Sequence, residues 1–143
     1  MKRILLDTNI LLDVFLERHP FCQPAQIIWT LAEKKKIQAA ISAISINNIF
    51  FIMKKLTSNE KAYWAVETLL EIFKIIEVTP QIIRKALKVR FPDFEDAIQY
   101  QTALKFRAHA IISRDPSGFE KSTIPVLDGP QFLILSESRK KNS

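Results

Sequence analysis

At 143 residues, 48% apolar and 25% charged, the chain has the length for one hydrophobic core and a composition ordinary for a globular domain. Its apolar runs break well short of a bilayer span, and the stretch after Lys2-Arg3 ends too soon, at Asp7, for an export signal, so a cytoplasmic protein with no membrane contact is expected. The lone Cys22 excludes a disulfide framework or a cysteine-rich zinc site within the chain. The net charge of +6 makes a polyanion a reasonable partner. Much of the excess sits in Lys34-Lys35-Lys36, Lys54-Lys55 and Arg139-Lys140-Lys141, which read as two solvated helix ends and a frayed basic tail over residues 136–143.

Ile4, Leu5 and Leu6 form an unbroken apolar run, the mark of a strand buried on both faces, which sets the first strand at Arg3 to Leu6. From Asn9 the spacing changes. Ile10, Leu11, Val14 and Phe15 recur at helical intervals, predicting a helix to Leu16 and, after a break, another from Pro24 to Lys35. Gln38 to Ser42 reads as the second strand, followed by a helix from about Ile46 to Leu56 for which Ser45 is the natural cap. Ser58 caps a further helix to about Phe73, Ile75 to Val78 is the third strand, and Pro80 sits in the first turn of a helix ending near Lys88. Pro92 blocks helix propagation, and Ala97, Ile98, Tyr100, Gln101, Ala103 and Leu104 then mark a helix to about Phe106 with Asp93, Glu95 and Asp96 in its first turn. Ala110 to Ile112 and Pro125 to Leu127 complete the strands. This alternation predicts a parallel sheet with helices on both faces. Neither Gly118 nor Gly129 belongs to a phosphate-cradling loop, which excludes Walker-type and dinucleotide-binding chemistry.

Three acidic positions stand out. Asp7 follows the first strand directly, and in an open α/β sheet the crevice at the carboxyl end of a strand is where ligands bind; the alternative is that Asp7 or Thr8 caps the helix that follows. Ser113-Arg114-Asp115 repeats the pattern after the fourth strand. Two strands ending in acids bring two negative charges to one sheet edge, which is unfavourable unless a cation neutralises them or a proton is shared. Asp93 and Asp96, three apart, share a face of the late helix, although capping and the positive helix end also account for acids in a first turn. His19 and His109 are isolated and read as surface or capping residues.

In order and spacing, Leu6-Asp7-Thr8-Asn9-Ile10, Ser42-Ala43-Ile44-Ser45-Ile46-Asn47-Asn48-Ile49, Asp93-Phe94-Glu95-Asp96-Ala97 and Ile111-Ile112-Ser113-Arg114-Asp115, followed by Phe119, resemble the PIN-domain family. The likeness runs from about Ile4 to Leu133 and is to the small toxin ribonucleases of bacterial toxin–antitoxin pairs in particular. It implies a three-layer α/β/α sandwich with a five-stranded parallel sheet over residues 1–135, an Mg2+- or Mn2+-dependent endoribonuclease, RNA as substrate and an antitoxin as partner. The acids that gather around the metal in that family fall on Asp7, Asp96 and Asp115. Thr8 and Ser113 would hydrogen-bond a carboxylate or a metal-bound water. Asn48 and Asp93 would stand beside the ion, and Asn9 would tie the loop together. Hard divalent cations take oxygen ligands and keep several waters, so few carboxylates suffice.

The chain departs from the family pattern in two places. Asn48 stands where most active members carry a Glu, and Gly118 where many carry an Asp. Two readings follow: a metal-dependent ribonuclease, or a nuclease-like module that binds RNA or protein without turnover. A haloacid-dehalogenase-type phosphatase needs a second Asp where Asn9 stands, and a receiver domain needs one after the third strand, where Val78-Thr79-Pro80 offers none. The apolar helices around Ile49 to Met53 and Trp64 to Leu70 offer a homodimer interface, with core packing as the other use of those side chains.

Overall fold

The apolar run at the start of the chain becomes the centre of the sheet. In the computed structural model, which describes residues 2–141 and side chains as far as Glu137, β1 (Arg3–Leu6) pairs in parallel with β2 (Gln38–Ser42) on one side and β4 (Ala110–Ile112) on the other. β3 (Lys74–Ile76) and β5 (Val126–Leu127) form the edges, giving the order β3-β2-β1-β4-β5. Successive side chains of a strand point to opposite faces, so Ile4 and Leu6 enter one apolar cluster and Leu5 the other.

The strand order explains the layers. The chain steps from β1 to β2 to β3 in one direction and then returns past β1 to β4. Right-handed crossovers taken in opposite directions place their helices on opposite faces. The helices α1 (Thr8–Phe15), α2 (Cys22–Glu33), α3 (Ala43–Leu56) and α4 (Asn59–Ile72) therefore cover the Ile4/Leu6 face, and α5 (Pro80–Val89) and α6 (Phe94–Phe106) cover the Leu5 face. The result is the expected three-layer α/β/α sandwich. The reversal falls between β1 and β4, and at such a switch point the strand ends splay apart and open a crevice.

Local signals hold for most elements: Ser58, Thr79 and Asp93 cap α4, α5 and α6 through their side chains. The third helix corrects the sequence reading. It begins at Ala43, Ser42 rather than Ser45 accepts the capping bond from the Ile44 amide, and Ser45 is buried inside the helix. Two elements were not expected, a 3-10 turn at Pro116–Phe119 and α7 (Gly129–Lys141), which packs Phe132 into the first cluster. Residues 136–141 thus continue α7 instead of opening a separate tail, and Asn142 and Ser143 lie outside the described residues. On α3 and α4, Ile49, Met53 and Leu69 are core, while Phe51, Trp64 and Leu70 are exposed. No helix among the described residues is long and apolar enough to cross a membrane.

Candidate active site

Asp7 sits at the N-cap position of α1 in extended conformation, yet its side chain makes no capping bond. The carboxylate, 7% exposed, is instead held from two other elements. Ser113 Oγ donates to Oδ2 at 2.8 Å and Gln99 Nε2 donates to Oδ1 at 3.0 Å. Thr8, which follows Asp7 into the helix, lies with its hydroxyl 2.8 Å from Ser45 Oγ and 2.9 Å from Glu95 Oε1. Asn9 is exposed and accepts from Arg18 at 3.3 Å.

The start of α6 supplies three more acids. Asp93 caps the helix by accepting from the Asp96 amide at 3.1 Å. Asp96 and Gln99, three residues apart, share a face. Gln99 Nε2 reaches Asp96 Oδ1 at 3.5 Å as well as Asp7 Oδ1 at 3.0 Å, which places those two carboxylate oxygens within about 6.5 Å of each other. Gln99 is fully buried, and its Oε1 has no hydrogen-bond partner.

The third contribution comes from the exit of β4. Ser113 Oγ, besides serving Asp7, accepts from the Asp115 amide at 3.0 Å, tying the two acidic positions to one hydroxyl. Between them, Arg114 turns away and closes on Asp13, donating from Nε at 2.8 Å and Nη2 at 2.9 Å, with its guanidinium 4.1 Å from the centre of the Phe21 ring. Asp13 is completely buried, and burial raises its pKa although Arg114 and Arg18 pull the other way. The 3-10 turn that follows is pinned by Phe119, which meets Phe91 edge-on while Phe91 stacks on Tyr100 of α6. Gly118 lies in this turn, and a Cβ added there would stand 2.5 Å from Asp96 Oδ2 and 4.0 Å from Asp115 Oδ2. A side chain at 118 would have to turn the Asp96 carboxylate aside, so glycine is what lets the turn approach it.

These segments form one cleft of about 460 Å³, lined by Asp7, Thr8, Asn9, Asn48, Phe51, Ile52, Asp93, Glu95, Asp96 and Asp115. Every site residue expected from the sequence is in that lining except Ser113, which lies beneath it on Asp7. Asn48 belongs to the second turn of α3 and lines the cleft from that side. His19 and His109 lie elsewhere: His19 contacts Cys22, and His109 Nδ1 accepts from the Arg3 amide. Another concavity of similar size, about 430 Å³, is walled mainly by apolar residues of α2 and α7 and gathers no such set of acids.

Five carboxylates and no basic side chain line the acidic cleft, and the electrostatics register it. Burial, reinforced by the charges of Asp7, Asp93, Glu95 and Asp115, pushes the Asp96 pKa up from 3.8 to about 7. A cleft in which burial and neighbouring charges together raise one acid this far would be relieved by a cation. The donors are carboxylate and amide oxygens, which suit a hard divalent ion. Among the described residues, no three Asp, Glu, His or Cys side chains close on one point tightly enough to cage an ion. That is compatible with a cation that keeps much of its water.

Three participants escaped the sequence reading. Asp13 was detectable as an acid within the apolar stripe of α1, three residues after Ile10, and Gln99 by its i+3 spacing from Asp96. Glu95 carried no such signal, because an acid in a first turn is already accounted for by the helix end.

A parallel α/β sandwich with an acid-lined crevice at its switch point is the class this geometry defines. A family model describing the PIN domain matches residues 3–117, and the chain belongs to that family. No curated protein matches it by sequence. Among solved structures it is similar to a toxin–antitoxin complex from Klebsiella pneumoniae, at 28% identity and a TM-score of 0.66 over 88% of this chain and 97% of that one. It is also similar in fold to VapC20 of Mycobacterium tuberculosis, a toxin that cleaves the sarcin-ricin loop (14% identity, TM-score 0.69, 82% and 94% covered). A third is the DNA-bound VapBC complex of Salmonella typhimurium (16% identity, TM-score 0.69, 90% and 99% covered).

Proposed function

We propose that the chain is an endoribonuclease of the toxin class, dependent on Mg2+ or Mn2+, acting in the cytoplasm and restrained by an antitoxin. The observation that carries this reading is the convergence of Asp7 from the end of β1, Asp96 from α6 and Asp115 from the exit of β4 on one crevice without a cation in its lining. Membership of the PIN family and the likeness to the Klebsiella toxin–antitoxin complex support it. A homodimer through α3 and α4 belongs to the same reading, since Phe51, Trp64 and Leu70 stay exposed there.

Asp7, Asp96 and Asp115 would hold the ion, with Asp93 and Asn48 beside it. When bound, such an ion lowers the pKa of a coordinated water and offsets charge developing on a phosphodiester. Ser113 and Gln99 fix both oxygens of Asp7, so that this carboxylate meets a ligand in one orientation and little ordering is left to do on binding. Burial and the neighbouring acids raise the Asp96 pKa to about 7, so this carboxyl is only part-ionised near neutrality in the metal-free protein, and an ion held there would have to displace its proton, which would couple metal affinity to pH. Lys54 and Lys55, exposed in the last turn of the helix that also bears Asn48 and Phe51, would offer positive charge to the backbone of a polyanion extending from the cleft along that helix.

A fluorophore-labelled single-stranded RNA incubated with the protein and Mn2+ tests the proposal. Cleavage is expected, chelation should stop it, and Asp7→Asn should abolish it while leaving the metal-free protein as stable as the parent or slightly more so, because repulsion in the cleft is relieved. The amide at Asn48, where a carboxylate would strengthen the site, favours the second reading of a binding module without turnover. RNA retained intact by a protein that never cuts it, at any metal concentration, would decide for that reading.

A further inference from the structure

The acids of the cleft are unequal in origin. α3 presents Asn48, an amide without charge, while α6 presents Glu95 next to Asp96. If Glu95 served only the positive end of its helix, it would extend into solvent from the first turn. It does not. Its side chain is half-buried, lines the cleft and reaches the start of α1, where Oε1 lies 2.9 Å from Thr8 Oγ1.

The hydroxyl chain beneath it fixes its orientation. Thr8 has one hydroxyl proton and two close oxygens, Glu95 Oε1 at 2.9 Å and Ser45 Oγ at 2.8 Å. An ionised carboxylate can only accept, so the threonine proton goes to Glu95 and the serine proton completes the other contact. Thr8 is 6% exposed and Ser45 fully buried, so the chain is rigid and shielded from water. It holds Glu95 in one orientation. Among the described residues Glu95 makes no ion pair with Lys, Arg or His, and the cleft lining offers no basic group that could neutralise it.

We infer that Glu95 is a fourth carboxylate of the metal centre, supplied by α6 and held by the Thr8–Ser45 hydroxyl chain, and that it provides the charge that Asn48 on α3 does not. This rests on the metal-dependent reading of the site and adds a ligand to it. The second Glu95 oxygen would then be available to the ion directly or through one of the waters a hard cation retains. Thr8 acts as a positioning residue for that carboxylate.

Calorimetric titration with Mn2+ alone, on the full chain, tests the assignment. Glu95→Gln should weaken binding roughly tenfold and raise the melting temperature of the metal-free protein, because one of five mutually repelling carboxylates is removed. Adding Asn48→Glu to Glu95→Gln should restore most of the lost affinity, since a carboxylate then enters the same cleft from the α3 side. Thr8→Val should weaken binding by a smaller factor. Asp7→Asn is the control for the site as a whole. Unchanged Mn2+ affinity in Glu95→Gln, alongside its loss in Asp7→Asn, would overturn the role of Glu95 and leave the metal centre standing. Unchanged affinity in both variants would overturn the centre and Glu95 with it.

Discussion

Replacing Arg114 by Met strips the cation from a carboxylate that has almost nowhere to go. Asp13 is fully buried in α1, takes two hydrogen bonds from Arg114 at 2.8 and 2.9 Å, and has Arg18 at 3.7 Å as its one other ion-pair partner among the described residues. Met keeps an unbranched side chain over Phe21, so the change isolates the charge. Breaking a buried ion pair by removing one partner costs about 3–5 kcal/mol, most of it from the charge left behind. Two features here lower that figure. Arg18 stays within reach, and burial has already raised the Asp13 pKa, so the carboxyl can take up a proton instead of staying charged. The expected loss is then about 2–3 kcal/mol. At roughly 3 °C per kcal/mol for a domain of this size, Arg114→Met should melt about 6–9 °C below the parent. The deficit should narrow as the pH falls through the raised Asp13 pKa, because a protonated carboxyl needs no cation. Adding Asp13→Asn should recover much of it for the same reason. Thermal unfolding followed by circular dichroism at pH 7.5 and pH 5 would measure all three variants. A melting temperature within about 2 °C of the parent at pH 7.5, or a deficit identical at both pH values, would refute the electrostatic account.

Asn48→Glu in the parent background should tighten Mn2+ binding most at low ionic strength, where added charge is least screened, and increase RNA cleavage with it; equal affinity and activity before and after would remove Asn48 from the site. Asp96 gives the metal-free protein a signature of its own. Its pKa is raised to about 7 in the fold from an ordinary value of 3.8, so between about pH 4 and 7 the native state binds the extra proton and stability falls as the pH rises. Urea unfolding across that range in chelator should show the decline, Mn2+ should remove it, and Asp96→Asn should flatten it; a decline equally steep in that variant would place its origin elsewhere.

The sequence by itself determined what is local. The apolar run Ile4-Leu5-Leu6 defines a doubly buried strand wherever its partners lie, and a carboxylate immediately after it has to emerge at that strand's end. Asp93, Ser58 and Pro80 announce helix starts through bonds and backbone preferences within a single turn. The meeting of Asp7 and Asp115 was legible because strand and helix alternation restricts a parallel sheet to few topologies and each brings strand ends to one edge, whereas Asp96 joined them only through the family resemblance. Ser42 displaced Ser45 as a cap because both satisfy the same local preference, and only the tertiary contact of Ser45 with Thr8 separates them.

Tertiary structure decided everything that depends on a partner far along the chain. Gln99 reaches Asp7 across 92 residues and Arg114 reaches Asp13 across 101, and no periodicity encodes which polar side chain will face which once the sheet closes. Glu95 shows the limit most clearly. In sequence it is one more acid in a first turn, where the helix end alone explains it; in the fold it is bound to a buried hydroxyl chain and turned into the cleft. Gly118 is the converse. Read along the chain it is a missing acid, whereas in space it is the room that the Asp96 carboxylate occupies. Secondary structure follows from interactions a few residues apart and is written in spacing. The electrostatics of the crevice arise from groups that only the sheet topology brings within a few ångströms of one another, at distances where charge and steric exclusion act most strongly.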